Sequence, residues 1–135
     1  MNVLFVCKWN RFRSKLAEAI FKKLNKNTDF KVKSAGIFPG APITKEIIIT
    51  ANKLGVKVSK NRKPLNYKTW MWADYIIIVA DNVPRVIFND FEKNYHKKII
   101  HWKFKDVYGD NIKDREKLAL KIKKNIELFL KSHNN

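Results

Sequence analysis

Residues 2–26 read NVLFVCKWNRFRSKLAEAIFKKLNK. Three parts follow one another. Asn2-Val3-Leu4-Phe5-Val6 is a short, β-rich apolar run that suits a buried strand. From Ser14 to about Lys26, the apolar residues Leu16, Ala17, Ile20, Phe21 and Leu24 recur at helical spacing. Cys7 to Arg13 joins the two and is polar and basic. A strand that runs through such a loop straight into a helix is the opening unit of an α/β fold.

The rest of the chain repeats the alternation. Phe30 to Ser34 alternates apolar and polar residues and predicts a second strand ending at Gly36. Ile43 to Leu54 predicts a helix stopped by Gly55. Val56 to Asn66 is polar and basic and reads as a loop, and Tyr67 to Trp72 fits one helical turn. Tyr75 to Val79 is the most apolar run in the chain and predicts a central buried strand. Asn82 to Asn94 predicts a third helix, with Asp81 as its N-cap and Pro84 in its first turn. Lys98 to Trp102 predicts a fourth strand. Ile112 to Lys131 predicts a last helix, with Leu118, Ile122, Ile126 and Phe129 along one face. The expected fold is α/β: one domain over residues 1–135, with a four-stranded parallel sheet and helices on both faces. A phosphate-binding loop would lie between strand 1 and helix 1. Ligands of such sheets bind at the carboxyl ends of the strands, here the loops after Val6, Val79 and Trp102.

Composition narrows the class. The chain has 135 residues, 45% of them hydrophobic, and a formal charge of +17. That apolar share argues against intrinsic disorder. No apolar run is long enough to span a membrane, and the basic residues after Val6 do not follow a signal-peptide pattern. The single cysteine excludes an internal disulfide and a four-cysteine zinc site, and fits a reducing, cytoplasmic setting. His96, His101 and His133 lack ligand-like spacing, so no metal and no cofactor is expected. The positive charge is carried by 24 lysines and only 5 arginines, scattered along the chain without a block. That pattern reads as a solvated surface rather than a specific nucleic-acid interface.

The chemistry concentrates in Cys7-Lys8-Trp9-Asn10-Arg11-Phe12-Arg13-Ser14. A strand-to-helix junction gathers unpaired N–H groups and the positive end of the helix dipole, which together make an anion site. A cysteine there has its thiolate stabilised. Arg13 can grip two oxygens of a tetrahedral anion with its planar fork, and Ser14 can donate to the sulfur. Nucleophile, oxyanion cradle and clamp within eight residues equip the loop for attack on phosphorus. No Gly-x-x-x-x-Gly-Lys occurs, so a nucleotide-binding loop of the Walker kind is excluded. The second requirement is a general acid. Asp106, in the loop after strand 4, lies on the expected rim, where a plain turn-forming role is equally open. Asp110 and Asp114 compete by proximity.

Taken together, these residues resemble the low-molecular-weight protein tyrosine phosphatases and the arsenate reductases that share their fold. Val3 to Cys7, then Arg13-Ser14 and Leu16-Ala17-Glu18-Ala19, is similar to the family's Cys-x5-Arg-Ser signature and following helix. Ser34-Ala35-Gly36 and Ala73-Asp74 through Asp81 resemble the segments around its second and third strands. Trp102 to Gly109 aligns without a gap with the family's Trp-Asp-x-Pro-Asp-Pro-aromatic stretch. The resemblance implies that Cys7 is the nucleophile, Arg13 the phosphate clamp and Asp106 the general acid. It also implies that Ser14 supports the thiolate and Asn10 braces the loop. Lys8, Trp9, Asn10, Arg11 and Phe12 would line the phosphate. Tyr108 would be one aromatic wall of the cleft, and Ile37-Phe38-Pro39 part of the other. The chain departs from the pattern at Trp9 (often Gly), Phe12 (often a second cysteine), Lys15 (often Pro) and Val107 (Pro).

The expected activity is hydrolysis of phosphotyrosine or small aryl phosphates through a phosphocysteine, and the loop by itself fits phosphoarginine equally. The partner would be a phosphorylated protein or a small phosphate ester, with no membrane and no specific nucleic acid. A monomer is expected, although no residue fixes the oligomeric state. Two alternatives stay open: a single-cysteine arsenate reductase using an external thiol, and a catalytically weak anion-binding module. A thioredoxin-coupled reductase needs two further cysteines and is excluded.

Overall fold

β1 (Asn2–Cys7) carries the centre of the molecule, with Val3, Leu4, Phe5 and Val6 fully buried. A strand covered on both faces has no polar side, which is why its sequence is a continuous apolar run. The structure, a computed structural model, describes residues 1–38, 40, 42–108 and 111–133. β2 (Lys31–Gly36) pairs with one edge of β1, β3 (Tyr75–Ile78) with the other, and β4 (Lys98–His101) with β3. All pairings are parallel and the strand order is β2-β1-β3-β4. β2 is an edge strand, and its exposed Lys31 and Lys33 fit that place.

α1 (Arg13–Leu24) and α5 (Ile112–His133) contact one another across one face of the sheet. There the Phe21 ring meets Phe5, Phe30 and Phe129. α2 (Lys45–Lys53) contacts α5. α3 (Tyr67–Trp72) lies against β1, and its Trp70 ring meets Phe88 at 5.3 Å. Gly55 follows α2 with φ +69°, the left-handed conformation that ends a helix and that only glycine adopts freely.

The third helix begins later than its periodicity predicts. Residues 82–84 are not helical, Pro84 is extended (ψ 131°), a 3-10 turn spans Arg85–Phe88, and α4 is Asn89–Tyr95. Asp81 therefore does not cap it. The Asp81 N–H donates to the Phe104 carbonyl, and the Asn82 side chain accepts from Arg13, so both residues are held in the rim of the sheet. Proline also disfavours a helical Val83 before it.

Residues 56–66 form the loop that their polarity predicts, and this loop also borders the sheet. Lys63 accepts from the Gly36 N–H and Leu65 donates to the Gly36 carbonyl, extending the end of β2 by a parallel bridge at Pro64.

Candidate active site

Cys7 is the last residue of β1, paired in register with Gly36, and only 2% exposed. The chain then turns through residues 8–12 and enters α1 at Arg13. Asn10, fully buried, sits at the turn with φ +50°, a conformation asparagine tolerates better than most residues. Its side chain organises the loop. The Lys63 backbone N–H can only donate, so the atom it reaches at 2.8 Å is the Asn10 carbonyl oxygen. The amide nitrogen must then face the two serines, donating to Ser14 Oγ at 2.8 Å and Ser34 Oγ at 3.0 Å. Ser34 passes its own hydrogen to Glu18 Oε1 at 2.6 Å. Ser14 Oγ lies 2.9 Å from Cys7 Sγ, and a thiolate there can only accept. The network thus turns the Ser14 hydroxyl toward the sulfur.

Among the described residues, the N–H groups of Trp9, Asn10, Arg11 and Phe12 donate to no other protein group. With the start of α1 they form a run of free donors around the end of β1. The loop approaches β2 closely. A Cβ at Gly36 would stand 2.6 Å from the Asn10 nitrogen and 2.8 Å from the Trp9 carbonyl carbon. Both are backbone atoms, so only glycine fits.

Arg13 is 1% exposed. Its Nη1 donates to the Phe104 carbonyl at 2.9 Å and its Nη2 to Asn82 Oδ1 at 3.0 Å. Asp81 and Asp106 carboxylates lie 3.5 and 3.6 Å away, close ion pairs rather than hydrogen bonds. Two of the five guanidinium N–H donors are engaged, leaving three. The Phe104 carbonyl also accepts from the Asp81 N–H at 3.0 Å, which ties the loop after β4 to the end of β3. The Asp106 side chain is 5% exposed and accepts from the Val107 N–H at 2.9 Å.

Other candidates take different places. Phe12 is buried, with the Arg115 guanidinium over its ring at 5.2 Å, so its side chain belongs to the core and only its backbone can serve the loop. Lys8 and Arg11 are half-buried, and Lys8 Nζ sits 4.8 Å over the half-buried Trp9 ring. Tyr108 is 72% exposed beside Asp106 in sequence, and Phe38 is also exposed, tied to Lys8 by a backbone hydrogen bond of 2.8 Å. Asp114 accepts from Asn111 at the start of α5. Pro39, Gly109 and Asp110 lie outside the described residues. Among those described, no cluster of His, Cys, Asp and Glu could hold a metal, and no helix is long and apolar enough to cross a membrane.

Several residues of the site escaped the sequence reading. Asn82 holds Arg13, and its place just past β3, on the rim where ligands bind, was the available signal. Glu18 and Lys63 carried none. Lys15 is 3% exposed, with Nζ 2.9 Å from Ser59 Oγ. Burial chiefly, with Lys63 and Lys22 nearby, holds its ammonium below the ordinary lysine range, while Glu18 and Cys7 oppose the shift.

Comparison with known proteins bears on this geometry. The family model described as low molecular weight phosphotyrosine protein phosphatase matches residues 2–133. A protein-arginine-phosphatase of Bacillus subtilis (strain 168) is 26% identical over 103 residues, covering 73% of this chain and 68% of that protein. The crystal structure of a low molecular weight protein tyrosine phosphatase from T. tengcongensis is 30% identical, with a TM-score of 0.81. That match covers 98% of this chain and 99% of the other. An arsenate reductase from Archaeoglobus fulgidus, 21% identical, shares the fold with a TM-score of 0.77 over 95% of this chain and 98% of its own.

Proposed function

Because the chain belongs to the low molecular weight phosphotyrosine protein phosphatase family, we propose that it hydrolyses phosphotyrosine or a small aryl phosphate through a phosphocysteine. Cys7 Sγ attacks phosphorus as the thiolate. The P–S bond forms while the ester P–O bond breaks, and Asp106, protonated, gives its proton to the leaving oxygen. Water then attacks phosphorus, Asp106 takes a proton from it, the P–S bond breaks, and inorganic phosphate leaves. Arg13 holds two non-bridging oxygens with donors left free by Asn82 and Phe104, and the free loop amides hold the rest. Ser14 stabilises the thiolate, both as attacking and as leaving group. Lys8, Trp9, Arg11 and Phe12 belong to the cradle, and Tyr108 to the cleft wall.

The supporting observation is the juxtaposition of Asp106 with Arg13 at 3.6 Å, at the start of the helix whose second residue, Ser14, touches Cys7. A buried carboxylate beside the clamp, on the rim of a loop of free amides, is placed to exchange a proton with a phosphate's leaving group.

The Bacillus relative's name supports a second substrate, phosphoarginine.

Steady-state hydrolysis by reduced protein tests the proposal. Wild type turns over p-nitrophenyl phosphate and Cys7→Ser does not. Asp106→Asn loses about 10²–10³-fold on phosphotyrosine peptide, and less on p-nitrophenyl phosphate, whose leaving group needs no proton. Silent wild type, or an active Cys7→Ser, refutes the proposal. Faster release of phosphate from phosphoarginine than from phosphotyrosine peptide selects the second substrate.

A further inference from the structure

Beside Asp106 a groove opens between residues 103–108 and α5, with a cavity volume of about 620 Å³. Its charged wall is Lys103 and Lys105 on the loop and Lys117 and Lys121 on the helix. Lys117 and Lys121 are exposed, one helical turn apart, on the face that also carries Leu118 into the core. Phe104, Val107 and Leu118 supply an apolar floor.

Among the described residues lining this groove, four lysines outweigh two carboxylates, Asp106 and Asp114. Asp106 faces Arg13, and Asp114 accepts a hydrogen bond from the neutral Asn111 amide and keeps its charge. Elsewhere on α5 the acidic residues already have lysine partners, Glu116 with Lys53 and Glu127 with Lys123. Among the described residues, none of the four groove lysines has an ion pair or a hydrogen bond through its ammonium. A scattered lysine surface leaves single charges in water. Four ammonium groups with no ion pair among the described residues, on one concave wall beside the residue proposed to protonate the leaving group, form a selective surface.

We propose that this groove receives acidic residues flanking the phosphorylated side chain of a protein substrate. The proposal rests on the phosphatase reading and adds to it a substrate class, phosphotyrosine set among Asp and Glu. Its floor accepts the aliphatic parts of Glu side chains while the lysines meet their carboxylates. A free phenyl phosphate occupies the loop around Cys7 beside Asp106 and gains nothing from the groove lysines.

Three substrates separate the contributions: a phosphotyrosine peptide flanked by Asp and Glu, the same peptide flanked by Ser and Gln, and p-nitrophenyl phosphate. The test variant is Lys117→Gln/Lys121→Gln, whose changes lie at exposed positions of α5 that have no part in the proposed chemistry at Cys7, Arg13 and Asp106. Wild type is expected to prefer the acidic peptide about tenfold in kcat/KM at low salt, through KM, as two or more exposed pairs would give. The double variant should reduce that preference to about twofold. Both proteins should hydrolyse p-nitrophenyl phosphate equally. The preference should also vanish near 1 M salt, where the screening length is about 3 Å. Equal rates of wild type on the two peptides, or a preference undiminished in the double variant, overturns the proposal. If wild type hydrolyses none of the three, the phosphatase reading fails. The groove is then judged by fluorescence anisotropy of the labelled acidic peptide. Weaker binding to the double variant supports the groove, and equal binding overturns it. Displacement of that peptide by a short oligonucleotide at lower concentration than by the unlabelled peptide makes the groove a nucleic-acid surface and overturns the proposal as well.

Discussion

Replacing Asn10 tests whether one side chain holds the phosphate-binding loop. Asn10→Ala removes three hydrogen bonds, to the Lys63 N–H and to the Ser14 and Ser34 hydroxyls, at 2.8, 2.8 and 3.0 Å. Each is worth about 1 kcal/mol net, and the partners are left short of a bond in a buried place, so the expected loss is about 3 kcal/mol. Alanine at φ +50° costs about 1 kcal/mol more. Asn10→Gly loses the same three bonds and escapes the backbone cost. Its own extra chain entropy in the unfolded state offsets part of that advantage, so glycine should be the milder variant by about 0.5 kcal/mol. Both should remain folded if the protein has an ordinary stability of about 5–15 kcal/mol. Urea unfolding followed by tryptophan fluorescence measures the difference through the midpoint, with the slope unchanged. Both variants should also lose kcat/KM, because Ser14 is no longer turned toward Cys7. A loss below about 1 kcal/mol in Asn10→Ala would refute the reasoning. So would a glycine variant clearly less stable than the alanine one.

Two further outcomes follow from neighbouring contacts. Gly36→Ala drives a methyl group into the backbone of Trp9 and Asn10, and should cost about 1–3 kcal/mol. The displaced loop should also bind inorganic phosphate, read as a competitive inhibitor, more weakly, and unchanged inhibition would contradict the close approach. Lys15→Met removes a buried ammonium whose hydrogen-bond partner, Ser59, is exposed and can turn to water. Because burial holds the folded-state lysine below its ordinary 10.5, the unfolded chain binds more protons in the window between the two values, and wild-type stability rises with pH across it. The methionine variant should therefore be the more stable at pH about 7, with its advantage shrinking as pH climbs toward 10.5. Parallel urea midpoints that keep a constant gap would refute this.

Much of the fold was legible because its signals are local. The apolar run of β1 and the helical spacing of α1 and α5 each lie within one segment, and the observed elements agree with them within a few residues. The segment from Asp81 to Pro84 was misread for the opposite reason. Its polarity and its proline suit a helix start, but Phe104 and Arg13 hold it in the rim of the sheet. Residues 56–66 looked like solvated loop because nothing in their composition reveals that Lys63 and Leu65 extend the end of β2.

The candidate site divides in the same way. Cys7, Arg13 and Ser14 belong to one strand–loop–helix unit, so the spacing of residues in the chain already implies their proximity. The chain by itself determined that unit, the parallel sheet that carries it and the family resemblance. Only the tertiary structure decided what surrounds it. Asn82 reaches Arg13 across 69 positions and Lys63 reaches Asn10 across 53. Such pairs carry no periodicity, because their partners are chosen by which strand ends lie side by side. The same holds for the lysines of the groove. In sequence they are four of 24 scattered lysines. Packing α5 along the loop after β4 places them on one concave wall, with no ion pair to another described residue.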